Sequence, residues 1–162
     1  MPAFRCIAIK TEIADRFRRT GRDDNGNALR RVTVTEAGGF PCRHCLRNGS
    51  VGETMLLGSY NLPKPQGIYW TPSPIFIHDI ACPRAEAVNA VAPIVRGNDL
   101  VSVRAYDAAG QCLYDLGTVC AGHDVDAPLD RALSDCRTAF VNIHTARPGC
   151  LLSLVERVPE PA

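Results

Sequence analysis

Two hairpin signals in the last third of the chain constrain its fold more than any other feature. Residues 100–106 and 111–119 are mostly apolar runs that flank an Asp-Ala-Ala-Gly turn at 107–110. Residues 139–144 and 150–156 flank a second turn, Arg-Pro-Gly, at 147–149. Short runs of this kind, joined by turn residues, are typical of neighbouring antiparallel strands. The sequence therefore predicts a sheet that is largely antiparallel.

Strands and helices are predicted to alternate along the rest of the chain. Residues 4–9, 55–60 and 75–78 have the composition of further strands. Helices are predicted from Thr11 to a stop at Gly21, over 85–92 ahead of Pro93, and over 126–136, where Asp126 is the expected N-cap. About three helices among hairpin-linked strands indicate an α+β fold, and 162 residues fit one compact domain over 1–162.

Composition excludes several classes of partner. The net charge is only +1, so no global field attracts nucleic acid, and the longest apolar-leaning run, 87–95, contains Pro93 and cannot span a membrane. The first ten residues lack the apolar core of a secretory signal, which predicts a cytoplasmic protein with reduced thiols. Residues 1–31 carry a net +4 and residues 97–136 a net −5, an asymmetry that leaves a homo-oligomer open.

The cysteines contain the clearest candidate for a site. Cys42 and Cys45 form a C-x-x-C pair, and after 32 intervening residues His78 and Cys82 follow in an H-x3-C arrangement. Two thiolates in one turn, joined by an imidazole and a third thiolate, are ligand types that suit zinc. The spacer is longer than in zinc-finger patterns, so a redox-active dithiol and purely structural thiols remain alternatives.

A polar face is predicted on the sheet that contains the hairpins. In strands of period two, Arg104 and Tyr106 share one face, and Asn142 and His144 share the equivalent face of the next strand. Arginine offers a planar fork for carboxylate or phosphate. We therefore expect Arg104, Tyr106, Asn142 and Arg43 to bind a small-molecule ligand of anionic character.

Nucleophilic catalysis by a thiol is a further hypothesis. Such a site needs a thiolate beside an imidazole, and neighbours in an extended chain point apart, so His44 is a poor base for Cys45. The candidate catalytic groups are therefore His78 and His144 with Cys42 or Cys45, provided that the fold brings them into one concave site with Arg104.

Several motifs together resemble a known family. They are T-G-R-D-D-N-G at 20–26, G-G-F-P-C-R-H-C-L-R at 38–47, L-L-G-S-Y at 56–60, P-I-F-I-H at 74–78, R-A-Y-D at 104–107 and N-I-H at 142–144. The combination resembles the bacterial domain-of-unknown-function family numbered 1203, over residues from about Phe4 to Arg157. The resemblance implies a single-domain bacterial protein of the cytosol and carries no activity with it.

Two functions of different classes follow from these observations. The first is a metal-thiolate or thiol-dependent enzyme that acts on a small anionic molecule. The second is a non-catalytic binding or assembly module whose thiols are structural. The enzyme requires the Cys42–Cys45 turn to lie close to His78, His144 and Arg104. A binding or assembly module with structural thiols does not.

Overall fold

The strands form two antiparallel sheets, and the computed structural model describes residues 1–159. The larger sheet has five strands in the order β1-β8-β7-β5-β6, and the smaller has three in the order β2-β3-β4. The strands are β1 Phe4–Ile7, β2 Arg30–Thr33, β3 Thr54–Asn61, β4 Pro72–His78, β5 Val101–Tyr106, β6 Thr118–Cys120, β7 Phe140–Thr145 and β8 Leu151–Arg157.

Three α-helices accompany the sheets. They are α1 Thr11–Thr20, α2 Pro93–Arg96 and α3 Asp126–Ser134, and short 3-10 turns occupy Gly67–Tyr69, Tyr114–Leu116 and Gly122–Asp124. The predicted α+β class with antiparallel sheets and about three helices is confirmed. The prediction of a single domain over 1–162 stays a prediction, and positions 160–162 lie outside the described residues.

Each sheet has its own apolar core. Apolar side chains from one face of the large sheet, among them Val103 and Ile143, pack with Leu129 and Leu133 of α3. A second cluster joins Phe17 of α1 to Met55 and Ile77 of the small sheet, and also includes Leu151 at the start of β8. The side chain of Leu151 thus connects the large sheet to the core of the small one.

The small sheet ends at β4, whose outer edge is partly covered. Pro72 and Pro74 lie in this edge strand, where a residue without an N–H is tolerated if that position faces away from the partner strand. On the same edge the carbonyl of Phe76 accepts a hydrogen bond from the N–H of Arg43 at 2.9 Å. Pro72 and Pro74 thus both belong to β4, which runs from Pro72 to His78.

The helix predicted over 85–92 is wrong. This segment is irregular and pairs with β1 instead: the N–H of Asn89 donates to the carbonyl of Phe4, and the side-chain oxygen of Asn89 accepts from the N–H of Phe4. Asn89 has a φ of 57°, which a helix does not allow. Pro93 does not break a helix but begins one, as the first residue of α2.

Two predicted helix caps also differ in detail. Thr11 lies inside α1, whose N-cap is Lys10, and its hydroxyl contacts the ring of His44. Asp126 lies inside α3, and its carboxylate pairs with Arg96 rather than with backbone N–H groups.

None of the helices in residues 1–159 has the length and apolar character needed to cross a lipid bilayer.

Candidate metal centre

The C-x-x-C turn is closed by its own backbone. The N–H of Leu46 donates to the carbonyl of Cys42, and the N–H of Cys42 donates to the carbonyl of Arg47, both at 2.9 Å. Leu46 takes a φ of 57°, in the left-handed region, which reverses the chain over a short distance. The turn thereby places the thiols of Cys42 and Cys45 close to each other.

Four predicted ligands converge at this turn. His78 is the last residue of β4, and Cys82 follows it in the next loop. One donor atom from each of Cys42, Cys45, His78 and Cys82 lies within 4.8 Å of all the others. The Cys42 and Cys82 sulfurs are 3.9 Å apart, and the Cys45 sulfur is 3.6 Å from Nδ1 of His78. These four residues could hold a metal ion.

The distances agree with tetrahedral coordination. With Zn–S bonds of about 2.3 Å and a Zn–N bond of about 2.0 Å, two sulfurs are about 3.8 Å apart and a sulfur and a nitrogen about 3.5 Å apart. The observed separations of 3.9 Å and 3.6 Å are within about 0.1 Å of these values. These two pairs are therefore at the spacing of a tetrahedral coordination shell, and the remaining donor pairs lie within 4.8 Å.

A second layer of side chains surrounds the four donors. Nε2 of His78 lies 3.3 Å from a carboxylate oxygen of Glu53, so the ring presents Nδ1 to the thiols. Nδ1 of His44 lies 3.3 Å from the Cys82 sulfur, while its Nε2 lies 3.0 Å from the Thr11 hydroxyl. Sequence reasoning missed the roles of Glu53 and His44, because neither lies in a recognisable ligand spacing.

The thiols share negative charge unequally. The pKa of Cys42 is lowered to about 4, chiefly because the Cys45 thiol donates a hydrogen bond to it, and backbone N–H groups add to this effect against the opposing influence of burial. The same interaction raises the pKa of Cys45. Burial, and then the charge on Cys42, raise the pKa of Cys82. An arginine near Cys82, Arg18, lies with Nη2 at 3.7 Å from the sulfur.

Arg43 lies between Cys42 and Cys45 in sequence, but its side chain hydrogen-bonds backbone carbonyls instead of the thiols. Its side chain is only 3% exposed, and its guanidinium donates to the carbonyls of Pro41 and Leu151, the latter at 2.6 Å. Burial lowers its pKa to about 10. With this geometry Arg43 links the turn to β8, and the predicted contact with a ligand would require it to leave both carbonyls.

Comparison with known families agrees with the motifs. A family model described as "Protein of unknown function (DUF1203)" matches residues 39–157, well over half of the chain. The chain belongs to this family. The match includes all four clustered ligands and does not extend to the T-G-R-D-D-N-G motif at 20–26. No curated protein and no solved structure matches the chain.

The remaining predicted residues of this DUF1203 protein lie on the large sheet. The register places Arg104 opposite Asn142 and Tyr106 opposite Phe140, with Ser102 opposite His144. Arg104, Tyr106, Asn142 and His144 therefore project from one face, as period two predicts. The structure brings these four together, but on a different sheet from the cysteine cluster.

Two of these residues are buried beneath that face. Asn142 is 0% exposed and donates to the carbonyl of Lys64. His144 is 2% exposed, and its Nδ1 lies 2.8 Å from the carbonyl of Gly149, so Nδ1 carries the proton and Nε2 is the free acceptor. Burial, and next the nearby Arg104, lower the pKa of His144 to about 4.

The predicted residues do not line one shared cavity. Cys45 borders a cavity of about 620 Å³ whose wall includes Leu46, Arg84 and Val91. Arg104 and Tyr106 border another, of about 390 Å³. The four metal-ligand candidates thus form one site and the arginine face a second, while the catalytic roles assigned to Cys42, Cys45, His78 and His144 stay predictions.

Protonation of His144 predicts a pH dependence of stability. Because its pKa is about 4 when folded and near 6.5 when unfolded, the unfolded chain binds the proton first on acidification. The contribution of His144 to the free energy of unfolding is complete above pH 6.5 and declines as the pH falls towards 4. We expect the free energy of unfolding to fall by about 2 kcal/mol between pH 7 and pH 5 from this residue.

Urea unfolding of the wild type and of His144→Asn at both pH values measures this contribution. Asparagine retains a donor for the Gly149 carbonyl but does not titrate. Between pH 7 and pH 5, the free energy of unfolding of His144→Asn should fall by about 2 kcal/mol less than that of the wild type. An equal loss in both proteins would contradict the assignment.

Proposed function

We propose that this protein binds one zinc ion through Cys42, Cys45, His78 and Cys82, and that the site is structural. The observation that carries the proposal is the agreement of two independent donor distances with tetrahedral zinc geometry. Thiolate-rich donor sets with one imidazole favour zinc over the hard cations calcium and magnesium, which prefer oxygen.

Coordination by four protein ligands supports a structural rather than a catalytic role. Structural zinc sites are closed by four side chains, whereas catalytic sites keep one position for water or substrate. Three thiolates and a neutral imidazole around Zn²⁺ carry a net charge of about −1. The guanidinium of Arg18, which also pairs with Asp15 at 2.9 Å, lies near Cys82 and offsets part of this negative charge. In this proposal the three thiolates bind the ion and thereby stabilise the fold.

The outer shell supports the same conclusion. Metal-bound histidines usually donate their second ring N–H to a carboxylate or carbonyl, which fixes the ring orientation. Nε2 of His78 faces Glu53 in this way, with Nδ1 left for the ion. His44 is placed to donate its Nδ1–H to the Cys82 thiolate while its Nε2 accepts from Thr11.

A thiol-dependent enzyme is the second candidate, and one contact favours it. Cys82 and His44, with Thr11 behind the ring, form a thiol–imidazole pair of the kind that activates a nucleophile. The pair would be available for chemistry only if Cys82 does not ligate a metal. Metal content therefore decides between the two candidates.

Zinc content is the direct test of the proposal. Protein purified under reducing conditions without chelators should contain one zinc per chain, and Cys82→Ser should weaken zinc binding more than about 100-fold, because outer-shell changes alone cost 10–100-fold. Cys136→Ser is the matched control, since Cys136 is exposed and lies outside the cluster. Elemental analysis and competition with a chromogenic chelator measure both quantities.

Zinc-free protein with a Cys82 thiol that reacts faster than the others would refute the proposal and support the enzyme. Equal zinc affinity of Cys82→Ser and Cys136→Ser would refute the assigned ligand set. Cobalt substitution adds a geometric readout, because tetrahedral thiolate-bound Co²⁺ absorbs strongly in the visible range.

Glu53 provides a separate prediction about the outer shell. Glu53→Gln removes the carboxylate charge behind His78 and should weaken zinc binding by about tenfold while one zinc per chain is retained. Glu36→Gln is the control, since Glu36 is exposed and outside the cluster. Competition titrations compare the two affinities, and an unchanged affinity in Glu53→Gln would show that the carboxylate does not support the ligand.

A further inference from the structure

A second cavity lies over the polar face of the large sheet. It has a volume of about 390 Å³, and its walls come from β5, β6 and the 3-10 turns Gly67–Tyr69 and Tyr114–Leu116. The side chains that define it are Tyr69, Ser102, Arg104, Tyr106, Tyr114 and Thr118. Among the described residues that line this cavity, Arg104 is the only one with a formal charge.

Arg104 has no counter-charge of its own. Two arginines on the large-sheet side, by contrast, are paired with carboxylates: Arg96 with Asp126, and Arg137 with Asp115 and Asp135. Within residues 1–159 Arg104 forms no such ion pair, and its Nε donates to the Ser102 hydroxyl at 3.2 Å. Burial raises the pKa of Tyr106, and the nearby guanidinium of Arg104 opposes this rise. A half-buried charge is costly unless a partner neutralises it. Among the described residues no carboxylate neutralises this guanidinium, which can therefore pair with a bound anion.

Aromatic rings form the wall beside this charge. The Tyr69 ring makes edge contacts with Tyr106 and Tyr114, at centroid distances of 6.2 Å and 6.1 Å. Tyr106 in turn stacks on Phe140 at 5.1 Å, which fixes its plane. The hydroxyls of Tyr69 and Tyr114 hydrogen-bond each other at 2.7 Å, yet Tyr114 is 73% exposed. A large aromatic side chain is therefore held in place while most of its surface is in contact with solvent.

We infer that this cavity binds a small planar aromatic oxyanion. Its carboxylate or phosphate oxygens would accept hydrogen bonds from the guanidinium of Arg104, whose fork matches either group. Its ring would pack against Tyr69 and Tyr114 in the offset or edge-to-face arrangement that aromatic pairs prefer. The site lies on the large sheet and does not depend on the proposed zinc function.

Benzoate and phenyl phosphate are suitable probes, and acetate and inorganic phosphate are their ring-free counterparts. We expect saturable binding of at least one aromatic probe with a Kd of about 10 mM or tighter, as expected for a fragment of that size. The ring-free ion should bind at least about tenfold more weakly. Which aromatic probe binds more tightly distinguishes a carboxylate ligand from a phosphate ligand. NMR titration of the purified full-length protein reports the affinity, and the Arg104 Nε–H resonance reports the location.

Two variants test the residues. Arg104→Gln keeps a donor near Ser102 but removes the positive charge, and should lower the affinity for the aromatic probe at least about tenfold. Arg30→Gln is the matched control, because Arg30 is exposed on the small sheet. Tyr114→Leu should lower the affinity for the aromatic probe several-fold. Because Tyr114 is mostly exposed, this variant remains informative if Arg104→Gln fails to fold.

Three results would overturn the inference. The first is an absence of saturable binding by either aromatic probe. The second is equal affinity for an aromatic probe and its ring-free counterpart. The third is unchanged affinity in Arg104→Gln or Tyr114→Leu relative to the Arg30→Gln control.

Discussion

The backbone of Arg43 is one of the contacts that set the arrangement of the two sheets. Its N–H donates to Phe76 in β4 of the small sheet, and its carbonyl accepts from Ile9, directly after β1 of the large sheet. Its guanidinium donates to Leu151 in β8. One residue thus hydrogen-bonds to both sheets, and the cysteines on either side of it set its position. A zinc ion bound by Cys42 and Cys45 would fix that position far more firmly than the turn alone.

The two candidate sites differ in what they can do because they differ in rigidity and exposure. The cysteine cluster draws its donors from a turn, a strand end and a loop, so an ion bound there would restrain three segments at once. The Arg104 cavity is built on the regular ladder of β5 and β7, which needs no ion to hold its register. The first arrangement suits a structural role, and the second suits reversible binding on a rigid surface.

The sequence predicted most of the strands and the four clustered donor residues, because each has a local signature. The run 111–119 is an exception, since it becomes a strand only at Thr118, where β6 begins. Period-two patterns gave the shared face of Arg104 and Asn142, and ligand spacing gave the Cys42–Cys82 set. The segment 85–92 was predicted wrongly, since its alanines favour a helix locally while pairing of Asn89 with Phe4 decides the structure. The outer-shell role of Glu53 and the buried contacts of Arg43 depend on partners distant in sequence, and no local pattern contains them.

Hydrogen exchange of individual amides tests most directly whether zinc holds the two sheets together. Saturating zinc at about 100 times its Kd would stabilise the turn by about 2.7 kcal/mol. Removal of zinc should then speed exchange of the Ile9, Arg43 and Ala85 amides about 100-fold. The Leu129 amide, bonded to Val125 within the large-sheet core, should change far less. Exchange of the Ile9, Arg43 and Ala85 amides at the same rate with and without zinc would contradict the account.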